Sequence, residues 1–345
     1  MSKKQSFLLI IFAIFSIEIS AQQKHIINIS PVANQNVINI TDNRKPFTQF
    51  IFPDTFEKPV LYPIYSPDGN MITRGYPFAP RAGEPTDHPH HVGLWMNYEN
   101  VNGLDFWNNS FAIPADKKYL YGRIKTSHIT QTKSGNHGIL QYKADWINQQ
   151  KEILLKETTT FIFSANNKER IIDRITTLSA EQDVLFKDAK DGLLGLRVAH
   201  ELELPSKETR QFVDDKGNIT KVAANNNSNV TGNYLTSEGK EGDSAWSTRA
   251  TWCMLYGKIN NDTISIAIID QPQNIGYPTY WHARGYGLFA ANPLGEKIFS
   301  NGKEELNFKL LKGKSVTFRY RIVIASGKER LSAVELDKLS KDFGN

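Results

Sequence analysis

The chain has 345 residues, of which 40% are apolar, 22% charged and 11% aromatic, with 41 Lys+Arg against 36 Asp+Glu. This composition excludes a disordered, collagen-like or coiled-coil chain, and a net charge of +5 with no dense basic run does not point to nucleic acid as a partner. One cysteine, Cys253, excludes an intramolecular disulfide and a zinc site built on cysteines.

At the N-terminus, Lys3 and Lys4 precede an apolar run over residues 7–17, followed by Ile19-Ser20-Ala21. A positive end, a short apolar run and a small residue at the cut predict a signal peptide over residues 1–21. The run is about half of what a helix needs to span a bilayer, and an N-terminal anchor is the alternative. Residues 22–345 are then expected to be exported, to the periplasm or outside the cell. No later segment reaches transmembrane length, so the mature chain is not expected to be an integral membrane protein.

Next comes a turn at Pro67-Asp68-Gly69-Asn70, and then the densest cluster of chemistry-bearing residues. It runs through Arg74-Gly75-Tyr76-Pro77, Arg81, Asp87-His88-Pro89-His90-His91-Val92-Gly93-Leu94-Trp95 and Asn102-Gly103-Leu104-Asp105-Phe106-Trp107. Gly83, Pro85 and Pro89 predict a shaped loop over residues 79–90, and loops of this kind carry sites. From His91 the pattern turns into a strand, with His91, Gly93 and Trp95 on one face. Three roles stay open for the histidines: general acid or base, ligands of a metal through His88, His90 and His91, or a hydrogen-bonded polar loop.

Beyond this cluster the period is two. Runs at 138–148 and 151–163 predict neighbouring antiparallel strands, and 170–178 and 263–269 are likewise rich in β-branched residues. In a strand, Arg197, Ala199, Glu201 and Glu203 would face one way and His200 the other. Residues 206–244 are polar and predict a long loop, which is either a functional element or a surface insertion. Trp246 and Arg249 follow it as residues that line a cleft or simply pack. Cys253 sits in an apolar run and is expected to be an inert core thiol.

A second cluster, Tyr277 to Pro293, interleaves Tyr280, Trp281, His282, Arg284 and Tyr286 with glycines. Aromatic faces and a fixed guanidinium suit a cleft for hydroxylated rings, or alternatively an aromatic core around a buried arginine. Val316, Phe318, Tyr320, Ile322 and Ile324 alternate as a strand, and residues 330–343 carry the one helical pattern. The sum is an all-β chain: one large antiparallel β-sandwich with a short C-terminal helix.

The two clusters, with Lys58-Pro59-Val60-Leu61-Tyr62-Pro63, Trp246 and Arg249, resemble a bacterial family of exported proteins commonly labelled methane oxygenase, PmoA-like. The label is taken as a name, because methane monooxygenase subunits span membranes and this mature chain has no spanning helix. The resemblance implies company in polysaccharide-degrading bacteria, and an architecture similar to the supersandwiches of galactose mutarotase-like proteins.

The leading expectation is a carbohydrate-active acid–base enzyme of epimerase, lyase or hydrolase type, with a sugar or oligosaccharide as partner. His90 or His91 is its base and His282 the partner acid. Arg74, Arg81 and Arg284 neutralise a carboxylate or oxyanion, and Trp95, Trp107, Trp281 and Tyr286 bind the ring. No cofactor is predicted. A metal-dependent enzyme using a transition metal, and a non-catalytic glycan-binding protein, are the alternatives. The sequence does not set the oligomeric state.

Overall fold

A computed structural model describes residues 24–207, 210–213, 219–222, 227 and 229–344. The signal-peptide expectation for residues 1–21 lies outside the described residues, as does part of the polar segment 206–244. Within that segment the described parts are not structureless. Arg210–Val213 pairs with Ile219–Val222, and Asn233–Thr236 joins a large sheet.

Two eight-stranded antiparallel sheets form the body. The first runs, edge to edge, through Ile27–Pro31, Val37–Asp42, Lys45–Ile51, Val60–Ile64, Leu94–Tyr98, Gly192–Arg197, Leu288–Asn292 and Tyr280–Arg284. We call it the site sheet. The second, the meander sheet, runs through Asn233–Thr236, Trp252–Ile259, Asp262–Asp270, Ser315–Gly327, Glu169–Ala180, Ile153–Ala165, Gly138–Ile147 and Arg123–Lys133. Gly138–Ile147 and Ile153–Ala165 are paired neighbours, as their alternation predicts.

Alternation also explains how the layers meet. Every second residue of Glu169–Ala180 is buried, and Ile172, Leu178 and Ala180 among them join Leu140, Phe161 and Phe318 in a core shared with Ile40, Met96, Leu194 and Phe289 of the site sheet. Phe50 meets Tyr142 across the layers at 4.7 Å between ring centroids. Each such side chain contributes roughly 1.5–3 kcal/mol through burial. Cys253 lies in this core, where burial pushes its thiol pKa well up.

Helix Ala333–Gly344 begins with a reciprocal cap, Glu335 N–H to Ser332 Oγ (3.3 Å) and Ser332 N–H to Glu335 Oε2 (2.8 Å). It covers the outer face of the meander sheet, packing Leu336 with Trp252, Met254, Ile269 and Val323. Val323 thereby breaks the apolar–polar alternation of its strand, since both faces of that strand are covered. Among the described residues no such helix lies over the outer face of the site sheet. Its register sets Trp95, Gly195, Ala290 and His282 in one row across four strands. Among the described residues no helix is long and apolar enough to cross a membrane.

Candidate functional site

The loop over residues 85–91 lies on that row and hangs from two buried basic side chains. Arg74 has no exposed side-chain surface. Its Nη1 donates to Asp87 O (2.7 Å), and its Nη2 to His88 O (2.9 Å) and His91 O (3.1 Å). Lys58 Nζ donates to His90 O at 2.7 Å. The loop then turns into strand Leu94–Tyr98 at Gly93, whose φ is +56° and where a Cβ would stand 2.1 Å from Leu61 O. Arg74 is therefore occupied by carbonyls of the loop. The expected role of neutralising a substrate charge is replaced by one of holding the backbone.

Asp87 and His88 are the centre of this loop. Asp87 Oδ1 accepts from Arg74 Nη1 (2.9 Å) and Arg197 Nη2 (2.8 Å), while Oδ2 lies 2.5 Å from His88 Nδ1. Burial alone would raise the Asp87 pKa, but Arg197, the His88 hydrogen bond and Arg74 hold it far below the usual carboxylate range. An ionised Asp87 fixes the ring of His88 and leaves its Nε2 with no hydrogen-bond partner among the described residues. The His88 side chain is 40% exposed, and its backbone takes the left-handed φ of +46°, a region that histidine visits more readily than most residues.

Rings stack through this point. His88 lies parallel to His91 at 4.8 Å and to Tyr286 at 4.9 Å, and His91 stacks on Trp95 at 5.3 Å. The two clusters that are remote in sequence thus meet at His88 and Tyr286. Trp95 and Trp107 are fully buried beneath His91, and a Cβ on Gly195 would strike both indoles. Expected as stacking surfaces for a ligand, they instead form the floor. Trp281 points the other way, into the interlayer core, with its Nε1 donating to Ala250 O at 3.0 Å. It is no wall of this face.

His91 and His90 differ from His88. His91 is 2% exposed, with Nε2 3.3 Å from Trp107 Nε1 and Nδ1 3.5 Å from Arg197 Nη1. Indole and guanidinium donate only, so a protonated His91 would face two donors. Burial, then the neighbouring His90 and Arg197, push its pKa well down. His91 is held neutral as a packed ring rather than as the expected base. His90 is half-buried, has no hydrogen-bond partner for its ring nitrogens among the described residues, and faces a separate apolar recess with Lys58. Burial and Lys58 lower its pKa well below the ordinary value.

The opposite wall comes from the strand pair at the sheet edge. His282 is buried and its Nδ1 lacks a hydrogen-bond partner, lying 3.6 Å from Asp191 Oδ1. Burial, with Lys190 and Arg284, lowers its pKa to about 3, so His282 is neutral near neutrality and not the acid expected of it. Asp191 moves the other way, raised by burial to about 6, and the charge of His88 acts on both groups. Arg284 stands over the rings of Trp246 (5.7 Å) and Tyr286 (5.8 Å). It has no ion pair among the described residues. These three, with Leu204, Asp243 and Gly285, line a recess of 290 Å³ that adjoins His88 through Tyr286.

Arg81 is elsewhere. Its guanidinium pairs with Glu84, Nε to Oε1 at 2.8 Å, and borders a recess of 190 Å³ with His200 and Glu201. Strand Gly192–Arg197 ends before His200, so the expected alternation through Glu203 fails: Ala199 enters the core and His200 Nδ1 meets Glu203 Oε2 at 3.1 Å. Arg249 is engaged by Glu296 (2.8 Å) and Glu304 (2.9 Å). A wider depression of 750 Å³ lies between His25, His137 and residues 164–169, but both ring nitrogens of His25 are already bonded, to Asp42 and Asn167. Among the described residues no three His, Cys, Asp or Glu are placed to hold a metal. For His88, His90 and His91 the reason is visible: two of the rings are parallel and His91 is enclosed by donors.

The chain belongs to a family of unknown function, DUF6807, whose model matches residues 37–341. No curated protein matches it. Among solved structures it is similar to the GH36 α-galactosidase AgaB from Geobacillus stearothermophilus, with 10% identity, 88% of this chain, 41% of that one and a TM-score of 0.39. The galactosidase domain of the α-galactosidase–sucrose kinase AgaSK gives 8%, 89%, 43% and 0.39. A galactose mutarotase-like protein from Clostridium acetobutylicum gives 10%, 87%, 98% and 0.34. The chain spans about two fifths of the length of the two galactosidases.

Proposed function

We propose that this DUF6807 chain is an exported carbohydrate-active enzyme in which His88, oriented by Asp87, moves a proton on a bound sugar. The observation that carries the reading is the anchored and stacked His88, with one ring nitrogen held by a carboxylate and the other turned outward beside Tyr286. A carboxylate on Nδ1 sets the tautomer that leaves Nε2 as the base and stabilises the imidazolium that forms. Asp191, whose pKa burial raises to about 6, is the complementary acid, since a carboxyl raised that far can hold a proton to deliver.

The saccharide reading rests on the recess beside this pair. Tyr286 and Trp246 offer ring faces, Arg284 offers fixed donors, and Asp243 offers an acceptor, a mixture that suits hydroxylated rings. Its 290 Å³ is at the small end for ligand sites. The same proton step serves epimerisation, elimination and hydrolysis. The PmoA-like name contributes no chemistry here, because the imidazoles do not converge on one point. Export rests on the N-terminal pattern.

The test is turnover of oligosaccharides from plant and marine polysaccharides by His88→Ala and His88→Gln. Loss of about 100- to 10,000-fold, the usual weight of a positioned acid–base group, is the expected result. Wild-type turnover in both folded variants would overturn the assignment. If Tyr286→Ala and Trp246→Ala then abolished saccharide binding, the protein would be a glycan binder.

A further inference from the structure

Lys58 takes no part in the reading above. We infer that Lys58 is a nucleophilic amine that forms an imine with a small aldehyde or ketone held in the recess it shares with His90. The lysine is 5% exposed, yet it has no ion pair among the described residues, and its ammonium position makes a single hydrogen bond, to His90 O. A buried lysine is ordinarily paired, because an ammonium removed from water costs several kcal/mol. Nζ also stands over the Trp95 ring, 5.1 Å from its centroid.

Around it lie Phe56, Val60, Phe78 and Val92, with the ring of Phe111 two-thirds exposed at the rim. This recess holds 120 Å³, the liquid volume of about four waters, which limits the occupant to a small carbonyl compound or the carbonyl end of a longer one. Burial lowers the Lys58 pKa to about 7 against the pull of Glu57 and Asp105, so about half of the amine is neutral at pH 7. Desolvation in an apolar pocket is one of the ways a lysine is activated for Schiff-base chemistry.

The step balances without a further reactant. The Nζ lone pair attacks the carbonyl carbon and the C=O π pair moves to oxygen, giving a carbinolamine. His90, lining the same recess with unengaged ring nitrogens, accepts the proton that nitrogen releases and passes it to the departing hydroxyl. One water leaves and C=N replaces C=O.

The test is reductive trapping of the unaltered protein with glycolaldehyde and cyanoborohydride from pH 6 to 10, with adducts located by peptide mass spectrometry. Lys58 should label at least about 100-fold faster than any surface lysine at pH 7, since a lysine of ordinary pKa has about a thousandth as much neutral amine there. Its rate should level off above pH 7. His90→Ala should slow the labelling about 10- to 100-fold while leaving that midpoint near 7. Label spread over surface lysines with Lys58 unmodified, or a Lys58 rate that climbs only above pH 9, would overturn the inference. Neither outcome depends on His88, so this inference and the sugar reading fail separately.

Discussion

The molecule buries two clusters of charge, and they are built differently. In the meander sheet, Glu157 Oε1 accepts from Tyr142 Oη (2.6 Å), Thr159 Oγ1 (2.6 Å) and Arg174 Nη2 (3.1 Å), and Oε2 accepts from Trp146 Nε1 (2.9 Å). Arg174 Nε in turn donates to Thr176 Oγ1 (3.0 Å). The network closes on itself inside the core. On the site sheet, Asp87 is likewise paired, with Arg74 and Arg197, but its side chain is 28% exposed against 1% for Glu157, and the cluster opens at His88, whose side chain is 40% exposed; His282 Nδ1 is buried without a hydrogen-bond partner. Both clusters pair their carboxylates with arginine, so ion pairing by itself does not separate structure from function. What separates them is whether any polar atom is left over where a ligand can reach it.

Exchanging the effects of the two clusters would break this comparison. The largest expected difference is in turnover, where His88→Ala should cost about 100- to 10,000-fold while leaving the urea midpoint nearly unmoved. Glu157→Ala should do the reverse. It strands Arg174 in the core and should cost about 3–5 kcal/mol in urea unfolding, with normal turnover per folded molecule. An unaltered stability in that variant would show that the closed network is dispensable.

A smaller effect sharpens the site side. Asp191 has a folded pKa of about 6, above the ordinary 3.9, so between these values the folded chain binds more protons than the unfolded one. Stability from this group is thus present at low pH and falls as pH rises from about 4 to 6. Asp191→Asn should remove that fall, a gain of no more than about 3 kcal/mol at pH 7, read as the difference between urea midpoints at pH 4 and pH 7. The smallest effect is at the stack. Tyr286→Ala should cost about 1 kcal/mol in stability and Tyr286→Phe less, since the ring rather than the hydroxyl packs on His88.

Much of the fold was legible because period-two alternation reports directly on a sheet with one buried face. Phe318, Tyr320, Ile322 and Ile324 could be assigned to the core from spacing alone, while Val323 and Ala325, in the cluster under the terminal helix, fell outside the rule. The two clusters on the site sheet were visible as compositions, but which histidine matters was not. His88 is singled out by its bond to Asp87 and its parallel neighbour Tyr286, and the second of these contacts spans 198 positions. Asp87 stood in the cluster as quoted, beside His88, and local adjacency could have nominated it. Arg197, Lys58 and Asp191 gave weaker signals, since nothing local announces that their side chains converge on residues 85–91 or on His282. Trp281 was misplaced for a simpler reason: alternation within Tyr280–Arg284 puts His282 and Arg284 on one face and Trp281 on the other, a rule that composition conceals.

The central claim is that His88 faces a bound saccharide at the junction of the two clusters. The direct measurement follows the imidazole proton resonances of all eight histidines by NMR during titration with fractionated oligosaccharides. The account expects saturable shifts at His88, with smaller ones at His91 through the stack, and none at His25 or His137. Saturable binding that moves other signals and leaves His88 unchanged would contradict it.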